Sequence, residues 1–181
     1  MTDSSYVSML RAVNVGGRKV EMEKLRDLYA SMGFKNVRSY IQSGNVLFEY
    51  PKSNRPGLSE KIEKQIKKTF GMDVSVLIRT DSELQRIVES SPFSKKDQSK
   101  LHVTFLRSEP SRDPELEEEI NKAKNREEEF AIMGKEVYLF LPNGYGTSKL
   151  TNTFFERKLK VIATTRNWKT VNVFVSMLGK K

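Results

Sequence analysis

One order of elements is written twice along this chain, and that repetition constrains the fold more than any single motif. Tyr6–Val13 alternates as a strand, and Glu21–Met32 places Met22, Leu25, Leu28, Tyr29 and Met32 on one helical face before Gly33. Val37–Tyr50 reads as a hairpin. Leu58–Phe70 has an apolar residue at every fourth position, DVSVLIR is a strand, and TDSELQRIVES is a helix capped by Thr80 or Asp81. The second pass runs KLHVTFLR as strand, DPELEEEINKAKN as helix, EEFAIMGKEVYLFLP as a hairpin turning at Gly134, and KLTNTFFERKL as helix. A strand near VIATT and the helix NWKTVNVFVSML complete it.

Each pass is strand-helix-strand-strand-helix-strand with one trailing helix, the split ferredoxin-like order. The expected fold is therefore α+β: two tandem ferredoxin-like (βαββαβ) halves with antiparallel sheets and helices on one face. Residues 1–95 and 96–181 form the halves of one compact unit, dividing at the linker-like SKKDQS of residues 94–99. Val46 to Leu58 and Tyr138 to Leu150 both cover twelve residues, which aligns Phe48 with Phe140. TDSELQRIV and TRNWKTVNV each follow a strand and open a helix, although the spacing has drifted by several residues.

Composition narrows the chemistry. There is no cysteine, which removes disulfides, thiolate metal sites and cysteine nucleophiles. The single histidine, His102, alternates with Leu101, Val103 and Phe105 on the less apolar face of its strand. No carboxylate is spaced to orient it, so neither a serine–histidine triad nor a metal site is expected, and no motif names a cofactor. No apolar run is long enough to span a bilayer and the N-terminus lacks the pattern of a secretory signal, so a cytoplasmic protein without membrane contact is expected. The formal charge of +9 suits an anionic partner. The excess is spread out: Lys61, Lys64, Lys67 and Lys68 share one helix, whereas ELEEEINKAKNREEEF is mostly acidic.

The string LRAVNVGGRKVEMEKLRDLYASMGFKNVRSYIQSGNVLFEY resembles the bacterial family catalogued as domain of unknown function 1697, with its RAVNVGG segment, M-x-x-L-R helix and YI-x-SGNV hairpin. LPNGYGTSKL and TTRNWKTV resemble further segments of that family. The resemblance implies two ferredoxin-like halves and no assigned activity.

Four motifs are candidate ligand contacts. NVGG joins a strand to a helix, so Asn14, Gly16 and Gly17, with Arg11, either form a turn or offer N–H groups to an anion. In QSGN, Gln42, Ser43 and Asn45 place more polar groups in one turn than a hairpin needs beside Gly44. GYGTSKL brings Gly144, Gly146, Ser148 and Lys149 to a helix start, where the alternatives are an N-cap by Thr147 or Ser148 and an anion site. TTRNW sets Arg166 and Asn167 at the start of the last helix. NVGG and QSGN are expected to be neighbours, as are GYGTSKL and TTRNW.

The reading these motifs support is binding of a small phosphate- or carboxylate-bearing ligand. Weak, non-sequence-specific nucleic-acid binding through a basic surface is the alternative. An RNA-recognition sheet would need stacking aromatics where Asn45 and Leu47 stand. Ser148 with Lys149 is the only local nucleophile–base pair, and neighbouring helical positions point about 100° apart, so no reaction is assigned.

Overall fold

The computed structural model describes residues 3–14, 16, 17, 19–51, 55–111 and 113–179. Val15 of NVGG, and Arg18, lie outside the described residues. The chain runs β1 (Asp3–Leu10), α1 (Met22–Ser31), β2 (Lys35–Tyr40), β3 (Asn45–Pro51), α2 (Leu58–Phe70), β4 (Val76–Thr80) and α3 (Asp81–Glu89). The order then repeats as β5 (Leu101–Leu106), α4 (Pro114–Ala123), β6 (Glu129–Met133), β7 (Glu136–Phe140), α5 (Asn152–Leu159), β8 (Ala163–Asn167) and α6 (Trp168–Leu178). The strands form two antiparallel four-stranded sheets, ordered β2-β3-β1-β4 and β6-β7-β5-β8. Both are ferredoxin-like, as the sequence predicts.

Strand parity decides which side chains meet the helices. In the first sheet Tyr6, Ser8 and Leu10 share a face with Val46, Phe48, Val76 and Ile78, and this face packs on Leu25, Leu28 and Tyr29 of α1 and Leu58, Ile62 and Ile66 of α2. In the second, Leu106, Val137, Leu139 and Ala163 pack on Ile120 of α4 and Phe154, Phe155 and Leu159 of α5. The opposite faces are buried too: Val7, Met9 and Leu47 in one sheet, and Val103, Phe105 and Tyr138 in the other.

Local signals set the helix ends. Gly57 and Gly71 bound α2, both left-handed. Thr80 and Glu83 form a reciprocal capping box on α3: Glu83 N donates to Thr80 Oγ1 (3.2 Å) and Thr80 N to Glu83 Oε2 (2.8 Å). Asp113 caps α4 by accepting from Glu115 N (3.0 Å).

Two expectations need correction. β1 stops at Leu10 rather than Val13: Arg11 N still makes one further rung to Ser75 O (2.8 Å), and the strand ends because Ala12 adopts φ 56°, a value foreign to a strand. The sheet registers pair Ser8 with Val46 and Thr104 with Val137, and Tyr6 with Phe48 and His102 with Leu139. The counterpart of Phe48 is therefore Leu139, not Phe140, since a one-residue slip would move the side chain to the other face. By the same registers Arg79 and Thr80 correspond to Arg166 and Asn167.

The chain gathers into two compact units, Met1–Gln85 with Phe174–Lys181, and Arg86–Val173. The sequence expectation divides the chain near residue 95; by packing, the change of unit falls inside α3, and the last turns of α6 belong with the first unit. There Phe174 meets Tyr40 edge-on at 6.3 Å and Arg38 Nη2 donates to Met177 O (2.9 Å) at a helix C-terminus, where a cation is favoured. In the second unit Tyr138 Oη donates to Ile87 O (2.9 Å).

Gly44 offers a test of this geometry. It has φ 72°, and a Cβ there would lie 2.9 Å from Leu10 Cβ and 3.3 Å from Val13 Cβ. Gly44→Ala should cost about 2–4 kcal/mol in urea unfolding, because crowding adds to the left-handed penalty. Gly33→Ala, at φ 83° with open space around it, should cost only about 1 kcal/mol.

Candidate functional site

At the end of β1 the chain is clamped from two sides: Leu10 N donates to Gly44 O (2.9 Å) and Arg11 N to Ser75 O. Beyond this clamp, Ala12 and Asn14 take φ 56° and 59°, followed by Gly16 at 60° and Gly17 at 90°. Asn14 holds the loop in that form. Its Nδ2 donates to Gln42 O (2.6 Å) and Val20 O (3.1 Å), and its Oδ1 accepts from Val20 N (2.7 Å). NVGG and QSGN are thus neighbours, as expected.

The polar groups of this edge divide into supports and rim. Asn45 is wholly buried and donates to Tyr40 O (3.2 Å) and Ser43 Oγ (2.8 Å), so Asn14, Ser43 and Asn45 brace the two loops. Arg11 is half-buried, while Gly16, Gly17, Lys19 and Gln42 are exposed. Sequence reasoning missed Ile41. It stands at φ 51° and 52% exposed, in a conformation that is sterically costly for a β-branched residue. A β-branched residue directly before QSGN was the available signal.

The second-unit motifs are arranged differently. The expected helix at Lys149 begins instead at Asn152, and its N-cap is Thr151, which accepts from Phe154 N (3.2 Å). The reason is Tyr145, in a 3-10 turn over residues 145–147: its hydroxyl accepts from Asn152 N (2.9 Å) and donates to Asn152 Oδ1 (2.8 Å). Neither Thr147 nor Ser148 caps the helix: Thr147 Oγ1 donates to Asn143 O and Gly144 O, and Ser148 Oγ accepts from Leu150 N (3.0 Å). Gly144 takes φ 87°, and Gly146 and Lys149 are exposed.

Arg166 and Asn167 are likewise engaged locally. Asn167 caps α6 by accepting from Thr170 N (2.8 Å). Arg166 Nη1 donates to Thr164 Oγ1 (2.8 Å) and Thr165 O (3.0 Å), and burial depresses its pKa to about 10, partly offset by the nearby Tyr145. Tyr145, rather than Lys149, is thus the GYGTSKL residue whose influence on Arg166 the structure resolves.

The second unit also serves as a control for the first, because register fixes equivalent positions. Leu10 N bonds Gly44 O as Leu106 N bonds Lys135 O (2.8 Å), and Arg11 N bonds Ser75 O as Arg107 N bonds Ile162 O (2.9 Å). Arg79 Nη1 bonds Ile78 O (2.9 Å) as Arg166 Nη1 bonds Thr165 O. Arginines at these positions are common to both halves. The difference lies at the edge after the first strand. The second unit turns its hairpin on Gly134 and Lys135 and reaches its helix through residues 107–113, whereas the first uses residues 41–44 and 11–21.

Among the described residues, no group of three or more His, Asp or Glu side chains is placed to hold a metal ion, and no helix is long and apolar enough to cross a membrane. Asn45 and Leu47 are fully buried, so neither offers a surface on which a base could stack.

Two ferredoxin-like units, one with an elaborated loop edge, define an α+β protein whose architecture alone names no reaction. The chain belongs to the family described as "Protein of unknown function (DUF1697)", whose model matches residues 3–138. GYGTSKL and TTRNW lie beyond the matched region. A solved structure, that of the conserved bacterial protein SP0830 from Streptococcus pneumoniae, is similar at a TM-score of 0.70 and 22% identity, over 98% of this chain and 99% of that one. This likeness establishes the fold. No curated protein matches the chain.

His102 yields a pH test. It stacks on Tyr145 at 5.4 Å, its Nδ1 is buried without a hydrogen-bond partner, and burial lowers its pKa below the ordinary 6.5, against a smaller opposing effect of the Lys100 backbone. Between the lowered value and about 6.5 the unfolded chain binds a proton that the fold refuses, so stability rises with pH through this window. Urea midpoints should fall as the pH drops below about 6.5, and His102→Phe should flatten that slope. Because the chain has one histidine, an unchanged slope in the variant would disprove the assignment.

Proposed function

We propose that the first unit binds a small anionic ligand, phosphate- or carboxylate-bearing, where residues 11–14, 16, 17 and 19 meet residues 41–44. The observation that carries this reading is the elaboration of that edge beyond what the equivalent edge of the second unit needs. Both edges close the same rungs of the same fold, so the additional loop and the wider turn are not required by the sheet.

Physical chemistry supports an anion in particular. Positive φ at alternate residues, Ala12 and Asn14, is a backbone pattern that turns successive N–H groups toward a common side. The loop over residues 11–21 and the turn at 41–44 carry Arg11, Arg18 and Lys19 against one acidic residue, Glu21 at the N-cap of α1. The equivalent loop of the second unit balances Arg107 and Arg112 with Glu109 and Asp113, and Glu109 Oε1 lies 3.9 Å from the place where a Gly134 Cβ would stand. Asn14 in this reading positions rather than contacts the ligand, since its carboxamide is committed to Gln42 and Val20. Gly16, Gly17, Lys19 and Gln42 form the exposed rim.

Isothermal titration with inorganic phosphate and with succinate, at matched ionic strength, tests the reading. Lys19→Gln should weaken binding roughly tenfold, the scale of one charge-assisted contact. Asn14→Ala should lose binding as well as stability, and Lys149→Gln should leave affinity unchanged. Loss on Lys149→Gln alone would move the site to the second unit. Salt-sensitive binding of a short oligonucleotide, with no effect of phosphate, would favour the nucleic-acid alternative.

A further inference from the structure

The anion reading leaves Ile41 without a role. Ile41 and Met133 are the exposed large apolar residues among those described, and Ile41 alone of the two has a positive φ. A left-handed backbone is sterically costly for a β-branched residue, a cost that glycine or asparagine would avoid, and its exposed side chain recovers little by packing. Neighbouring Gln42 is fixed to the NVGG loop through the 2.6 Å bond from Asn14 to its carbonyl, so Ile41 is one residue from the point where the two loops join. An apolar group held in solvent beside a cationic rim matches a ligand that is itself divided, with an anionic end and an apolar end.

We infer that the ligand of the first unit is an organic phosphate monoester whose apolar or aromatic part lies against Ile41 while its phosphate meets the rim around Gly16, Gly17 and Lys19. This rests on the anion reading and adds the class of ligand. It assigns two contacts to two segments: the charged end to Gly16, Gly17 and Lys19 and the apolar end to the turn at residues 41–44. A free phosphate would use only the first.

Titration of the full chain with phenyl phosphate and with inorganic phosphate separates the two. The native chain should prefer phenyl phosphate about tenfold. Ile41→Asn, which suits the left-handed backbone and removes the apolar surface, should bind both ligands equally, with a thermal midpoint at or above that of the native chain. Ile41→Leu should keep the preference, and Lys19→Gln should weaken both ligands by a similar factor. Equal affinities in the native chain, or a preference that survives Ile41→Asn, would overturn the inference and leave the anion site standing. If neither ligand binds, the anion reading fails, and the inference with it.

Discussion

The register of β1 against β3 and of β5 against β7 is the constraint on which the rest of each unit depends. Side chains alternate across a strand, so a single set of rungs decides which residues form the helix-facing core and which occupy the opposite face. The closing rungs, Leu10 N to Gly44 O and Leu106 N to Lys135 O, fix that parity at the end of each central strand. In the first unit the rung also demands glycine. With Leu10 Cβ within 2.9 Å of the place a side chain would take, Gly44 lets β1 and the hairpin turn approach closely enough for Asn14 to reach Gln42.

Parity also accounts for polar residues inside the two cores. Ser8 and Thr104 occupy equivalent helix-facing positions in the middle of the central strands and are fully buried. Each finds a partner without water: Ser8 Oγ pairs with Tyr29 Oη at 2.8 Å, and Thr104 Oγ1 with Thr165 Oγ1 at 2.8 Å. A buried hydroxyl is costly only when left unpaired. The two units meet the same requirement by different means, one through a helix tyrosine and the other across to the edge strand.

The fold was legible in the sequence wherever one local signal sufficed. α2 runs from Leu58 to Phe70 as its fourfold apolar spacing predicts, Thr80 caps α3, and the β6–β7 turn falls at Gly134. Alignment of the halves was not legible, because the equal twelve-residue spacing spans connections of different build. The second includes the 3-10 turn at Tyr145, and this turn delays α5 by giving Asn152 N a partner before Thr151 caps the helix. Such a contact depends on Tyr145 folding back across several residues, which no periodicity records. The roles of the polar candidates were not legible: composition marks Asn14, Ser43 and Asn45 as polar, and only the structure shows that their side chains brace the loops.

That division of roles explains how strained backbone persists at one edge of a stable unit. Ala12, Asn14 and Ile41 all lie in the left-handed region, and non-glycine residues there cost roughly 1 kcal/mol or more each. Strain of this size survives only where surrounding contacts over-determine the conformation. Bonds from the Asn14 carboxamide to Val20 and Gln42, bonds from Asn45, and the rungs on either side of Leu10 supply that determination. The rim at Gly16, Gly17, Lys19, Ile41 and Gln42 is therefore held in place from beneath, leaving its exposed surface to be shaped by chemistry other than that of folding. In the second unit the same rungs close over a two-residue turn, and there the fold needs no such support.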